Sequence, residues 1–279
     1  MPIPHDPAVL LPIIGLTAGV GLASAAVATV FVSLPEPLRR WLVPHLVSFA
    51  TGALLGAALI GLIPGAIEGA GLDHVHEIGL AVLAGLLLFF VLEKLVLWRH
   101  CHEDDCEAHV PHEGAAASDH HRSRALGPMI LWGDAAHNVL DGVVIAAAYL
   151  TRPGLGVATA IAVFAHELPQ EVGDIAILLH SGMSRLRALS LNLLISVSAV
   201  AGGIAAYWSM ADALRVLPYA LAFAGASLLY VAVADLIPGL HRHVDPKRSV
   251  QQFVLILAGL ATIWLTQHHE GVAAAAGMP

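Results

Sequence analysis

The chain has 279 residues, 57% of them hydrophobic and only 12% charged, with a mean hydropathy of +0.77 and a formal net charge of −8. Soluble domains carry about a quarter charged residues, so this chain has too little polar surface to cover a globule in water and belongs in lipid. No basic stripe suggests nucleic acid, and two cysteines in one polar loop, Cys101 and Cys106, make no disulfide framework.

A membrane-spanning helix needs about 20 mostly apolar residues. Eight windows qualify: 9–32, 42–67, 78–98, 128–150, 155–179, 188–208, 216–240 and 250–267. No Lys or Arg precedes the first window, so no cleaved signal is expected and the first helix stays in the mature chain. The reading is an all-α membrane protein in which residues 1–279 form one transmembrane domain. Glycine and alanine are frequent inside the windows, as expected where helices approach closely in lipid. Gly52 and Gly56 give one such face, read as ordinary small-residue packing.

Basic residues set the orientation. Arg39, Arg40, Lys94, Arg99, Arg122, Arg124, Arg185, Arg187, Arg242, Lys247 and Arg248 fall on one side of the eight-helix topology, and only Arg152 and Arg215 on the other. Positive residues favour the cytoplasm. Both termini are therefore expected outside, in a multi-pass protein of the plasma (inner) membrane.

The second and seventh windows are related. Residues 49–65 read FATGALLGAALIGLIPG and residues 223–239 read FAGASLLYVAVADLIPG, with nine of 17 positions identical. These helices cross in opposite directions in the assigned topology, which is the inverted repeat typical of transporters. Where the first copy has Gly61, the second has Asp235, a charge within an apolar run. Pro64 and Pro238 should kink the two helices in related ways.

The fourth and fifth windows carry the chemistry. Asp134, His137, Asn138 and Asp141 are spaced to share one helical stripe, as are His166, Glu167, Gln170, Glu171 and Asp174. A charged side chain at mid-membrane costs roughly 2.5–3.5 kcal/mol. With Asp235, these windows hold six carboxylates and no Lys or Arg within the fourth, fifth and seventh helices. The acids need protons, water or bound cations. Carboxylates alone suit Mg²⁺, Ca²⁺ or Mn²⁺, whereas added imidazoles shift preference toward Zn²⁺, Fe²⁺, Co²⁺ or Ni²⁺. His137 with Asp141, and His166 with Gln170, are each one turn apart, so two helices can build a four-ligand cage. The neutral amides Asn138 and Gln170 soften the site, which a transporter must be able to empty. Pro169 removes a backbone donor inside the fifth helix, and Gly142 and Gly173 allow close helix approach.

These residues resemble the ZIP (Zrt/Irt-like) family of divalent-metal transporters. HNVLDG at 137–142 is similar to the family's fourth-helix motif HNxxDG, and HELPQEVGD at 166–174 to the fifth-helix motif of the HExPHExGD branch; HSGMSRLRAL at 180–189 also fits that branch. The resemblance implies a primary metal site of His137, Asp141, His166 and Gln170. It implies an adjacent second site of Asn138, Glu167 and Asp235 that shares Asp141 and Gln170, with Glu171 beside them. That branch often has His where this chain has Gln170. The resemblance further implies a 3+2+3 arrangement of eight helices, import toward the cytoplasm and a homodimer. The expected cargo is zinc, with iron, manganese or cadmium as alternatives, and no organic cofactor or enzymatic activity is expected. A cation channel and a membrane-embedded zinc hydrolase are the competing readings. The latter is weakened because HELPQ lacks the second His of HExxH.

Residues 99–127 are expected to be a disordered, histidine-rich cytoplasmic loop. Six histidines, two cysteines and six acids fall within 99–122, a composition that builds no core. It reads as a metal-collecting tract or a solvated linker, with Cys101 and Cys106 reduced and able to act as soft ligands. On the outer side Asp73, His74, His76 and Glu77 form either a polar turn or a cation-attracting lip.

Overall fold

The structure is a computed structural model that describes residues 6–100, 119–180, 183–210, 215–241 and 245–275. Helices account for nearly all of this: α1 (Pro7–Ser33), α2 (Glu36–Ala70), α3 (Val75–His100), α4 (Asp119–Thr151), α5 (Pro153–His180), α6 (Arg185–Ser196, continued as Ser198–Met210), α7 (Leu217–Leu240) and α8 (Pro246–Ala275). Among the described residues, α1, α2, α3, α6, α7 and α8 contain stretches long and apolar enough to cross a membrane. The other two, α4 and α5, are the helices whose polar stripes dilute their apolar content. Residues 99–100 and 119–127 of the histidine-rich segment are helical; the rest of it, with both cysteines, lies outside the described residues.

Local chemistry sets the helix ends. The Asp6 carboxylate accepts from the Ala8 amide at 2.8 Å and Pro7 occupies the first turn of α1, where its missing N–H costs nothing. Gly71, at φ 92°, makes the break between α2 and α3 in a conformation that side chains with a Cβ rarely adopt. Pro169 does not break α5, which runs continuously from Pro153 to His180.

The two repeat helices share an irregularity. Residues Ala57–Leu62 of α2 and Val231–Leu236 of α7 are π-helical, and each wide turn leads directly into an Ile-Pro-Gly segment. A proline ring collides with the carbonyl one turn earlier in a regular helix, and a wider turn relieves that collision. The π segments lie at corresponding positions, 174 residues apart, as do Pro64 and Pro238.

The same offset relates the packing. A Cβ on Gly85 of α3 would meet Ala226 and Phe223 of α7, while one on Gly259 of α8 would meet Phe49, Gly52 and Ala53 of α2. Glycine 85 and its two partners each map onto a contact of the other half by a shift of 174. The helices α2 and α7 run antiparallel: Gly69 lies against Pro218, Gly65 against Leu221, and Gly225 against Leu62 and Ile63. The related segments of α2 and α7 thus lie side by side in opposite directions.

Between the halves sits α5, packed against α1, α2, α4 and α8, while α4 packs against α1, α5, α6 and α7. Small residues make this possible. A Cβ on Gly142 would lie 1.8 Å from the Ala199 carbonyl oxygen, so α4 and α6 touch through their backbones; Gly173 meets nothing within 4 Å and plays no such part. Gly52 and Gly56 face Ile256 and Ile263 of α8, which is intramolecular packing. Alanines such as Ala50, Ala53, Ala57, Ala147 and Ala158 fill the core.

Candidate metal site and the cavity that reaches it

The polar stripes of α4 and α5 face each other at the centre of the bundle. His137, Asp141, His166 and Glu167 each offer one donor atom, and these atoms all lie within 4.8 Å of one another. The Nε2 of His166 is 3.1 Å from His137 Nε2, 3.2 Å from Asp141 Oδ2 and 3.7 Å from Glu167 Oε1. His137 Nε2 is 3.6 Å from Asp141 Oδ2 and 3.8 Å from Glu167 Oε1. Ligands at ordinary zinc bond lengths of about 2.0–2.2 Å sit about 3.3–3.6 Å apart at the corners of a tetrahedron. The four donors are already spaced close to that.

Their neighbours leave them free to ligate. Asp141, His166 and Glu167 are buried, yet Asp141 Oδ2 and both Glu167 oxygens have no hydrogen-bond partner. Buried carboxylate oxygens are rarely left bare, and a dication supplies what they lack. The Nδ1 of His166 lies 3.3 Å from the Ala162 carbonyl. Donating there orients the ring and presents the Nε2 lone pair to the centre.

The remaining stripe residues are placed differently. Asn138 turns its amide to Asp134, donating to the carbonyl oxygen at 3.1 Å and to Oδ1 at 3.0 Å. Gln170 donates to the same Asp134 Oδ1 at 3.2 Å. Both amides thus brace Asp134 through their N–H groups, the end of an amide that does not ligate a metal. Glu171 points to the outer helices, where its Oε1 accepts from Ser24 of α1 at 2.9 Å and from Ser196 of α6 at 2.6 Å. Asp235 is exposed and lines a cavity of about 650 Å³ together with His166, Gln170 and Glu93. Glu93 accepts a hydrogen bond from Tyr230. Val43, Val47 and Pro238 complete the rim, so the cavity opens at the end of the bundle that carries most basic residues.

Sequence reasoning missed the serines that hold Glu171, because Ser24 and Ser196 lie in apolar runs on helices distant in the chain. It also missed Glu93, whose partner Tyr230 is 137 residues away. On the outer side, His74 Nδ1 is 3.0 Å from Glu77, which also accepts from Tyr219 at 2.6 Å, so these groups form a hydrogen-bonded surface turn.

Comparison with known proteins agrees with this geometry. The family model described as ZIP Zinc transporter matches residues 8–267. Zinc transporter ZIP13 of Pongo abelii is 32% identical over 237 residues, covering 81% of this chain and 67% of that protein. Zinc transporter SLC39A7 of Rattus norvegicus is 29% identical over 337 aligned positions, covering 89% of this chain and 71% of that protein. Zinc transporter ZIP13 of Homo sapiens is 30% identical, with 81% of this chain and 71% of that protein covered. These matches, and a buried His/Asp/His/Glu cluster between two polar helices, place the chain in the ZIP zinc transporter family, whose members are multi-pass membrane transporters and not enzymes.

Proposed function

We propose that this chain carries zinc into the cytoplasm across the plasma (inner) membrane, binding it between α4 and α5 through His137, Asp141, His166 and Glu167. The observation that carries the reading is the set of bare carboxylate oxygens on Asp141 and Glu167, set beside two imidazoles at tetrahedral ligand spacing. Two imidazoles with two carboxylates suit Zn²⁺ better than a hard ion such as Mg²⁺, and iron, manganese and cadmium are the competitors to test.

The eight helices all cross the membrane, in a 3+2+3 order with α4 and α5 between two inverted repeats and both termini outside. The antiparallel packing of α2 against α7 supports that order. The zinc leaves through the cavity that joins His166 to Asp235 and Glu93. Gln170, at the head of this cavity, and Asp235, at its side, are the groups that receive the ion next. Asn138 acts by holding Asp134, and Glu171 by tying α5 to α1 and α6. A binuclear site would use the amide oxygens of Asn138 and Gln170, whose N–H groups are the ones bonded to Asp134. A homodimer and a metal-collecting role for the histidine-rich segment complete the reading.

Uptake of Zn²⁺ into proteoliposomes, with Fe²⁺, Mn²⁺ and Cd²⁺ as competitors, tests it. Saturable zinc uptake lost in His137→Ala/His166→Ala is the expected result. Linear, non-saturating flux would favour a channel.

A further inference from the structure

A second site lies away from the metal cluster, where the N-terminal halves of α2 and α8 pack together. A pocket of about 100 Å³ there is lined by Arg40, Trp41, His45, Arg248, Gln251 and Gln252, with Pro44, Ser48 and Leu255 behind them. None of these nine residues is acidic. An adjoining groove of about 810 Å³ shares Arg40, Pro44 and Arg248 and adds Arg39 and the acidic Glu36. The Nε of Arg39 is buried and has no hydrogen-bond partner. The acids nearby are Glu36, which pairs with Arg40, and Asp245, 4.0 Å from Arg248; both pairs are largely exposed.

We infer that this pocket binds the phosphate headgroup of an anionic membrane lipid. Two guanidiniums, those of Arg40 and Arg248, line one small pocket whose lining holds no acid, and the planar guanidinium fork suits a phosphate. A lipid fits better than a soluble phosphate because the same turns are amphipathic. Trp41 lines the pocket and is 59% exposed, and Leu38, Val250, Phe253 and Val254 expose apolar surface beside it. A Trp at the edge of a basic pocket is the arrangement expected at headgroup depth, and basic pockets between transmembrane helices on the cytoplasmic side suit anionic headgroups. The lipid bridges α2 and α8, with its phosphate between Arg40 and Arg248 and an acyl chain along the apolar flank. Arg40 exchanges its exposed Glu36 partner for the phosphate.

Native mass spectrometry of the purified full chain, offered phosphatidylglycerol or phosphatidylcholine in micelles, tests this. The expected result is selective retention of phosphatidylglycerol. Arg40→Gln/Arg248→Gln lowers that retention about 25-fold, the equivalent of about 1 kcal/mol for each arginine. Glu36→Gln raises it by removing the competing carboxylate, which keeps the test decisive if the double variant fails to fold. Equal retention of the two lipids by the unsubstituted chain would overturn the inference. So would undiminished retention by a folded double variant, or displacement of phosphatidylglycerol by millimolar inorganic phosphate, which would mark the pocket as a soluble-anion site.

Discussion

The two ends of the bundle are built from the same repeat and behave oppositely. At the basic-residue end, α7 and α3 present Asp235 and Glu93 to an open cavity that reaches His166. At the other end, the corresponding positions in α2 and α8 are Gly61 and Gln267, again 174 residues apart. There a Cβ on Gly61 would lie 2.4 Å from Gln267 Nε2 and 2.8 Å from Leu155, and Gly65 faces Leu155 and Leu221. Two cavity-lining carboxylates are replaced by a glycine and an amide in close contact, and Gln267 Nε2 is buried without a hydrogen-bond partner. The cavity that reaches His166 lies at the Asp235 end, while at the corresponding place in the other half Gly61 packs closely against Gln267 and Leu155. The difference teaches that matching backbone features can carry unlike side chains, since the π turns and the Gly85/Gly259 contacts correspond in both halves.

The largest expected effect falls on the cluster that both ends serve. His137→Ala/His166→Ala should reduce zinc uptake to background while surface expression stays near normal, because two of the four donors vanish and two buried carboxylates lose their cation. Normal zinc accumulation in cells expressing that variant would remove the basis of the mechanism. The two ends can then be compared by thiol labelling in a Cys101→Ser/Cys106→Ser background. Asp235→Cys should react with a membrane-impermeant reagent applied from the cytoplasmic side, whereas Gly61→Cys should stay protected from either side. Equal labelling of the two would show that the ends do not differ in access.

A smaller effect sharpens the backbone symmetry. The Cβ of Gly259→Ala would sit 2.2 Å from the Phe49 carbonyl oxygen, a backbone atom that cannot step aside. That of Gly85→Ala would meet the Ala226 methyl at 2.7 Å. Overpacking costs about 1–3 kcal/mol, so Gly259→Ala should lower the unfolding temperature in detergent more than Gly85→Ala, and the reverse order would contradict the packing described here. The smallest effect is expected from deleting residues 101–121, which should alter apparent affinity or regulation more than maximal flux. Complete loss of flux by an inserted deletion protein would contradict that assignment.

Much of this was legible in the sequence because lipid makes polarity conspicuous. The stripes Asp134–Asp141 and His166–Asp174 stand out against apolar runs, and their 3.6-residue periodicity already puts the donors on two helix faces. The repeat showed itself at residues 49–65 because the LIPG ending survives in both copies. Beyond that segment the halves keep shape rather than letters. Gly85 and Gly259 match only when the same offset is carried forward, and glycine in a glycine-rich chain draws no notice. Side-chain direction was not legible either. Asn138 and Gln170 share stripes with the donors, and their N–H groups turn to the Asp134 carboxylate, a partnership that spacing alone does not reveal. The partners of Glu171 could not be read, since one hydroxyl in an apolar helix gives no sign of which distant carboxylate it meets.

The ligand set itself is open to direct measurement by zinc K-edge X-ray absorption on the purified, zinc-loaded chain. The account predicts nitrogen and oxygen scatterers at about 2.0–2.2 Å, with imidazole outer-shell features from two rings that disappear in His137→Ala/His166→Ala. An unchanged imidazole signal in that variant, or a first shell of oxygen alone in the unsubstituted chain, would contradict it.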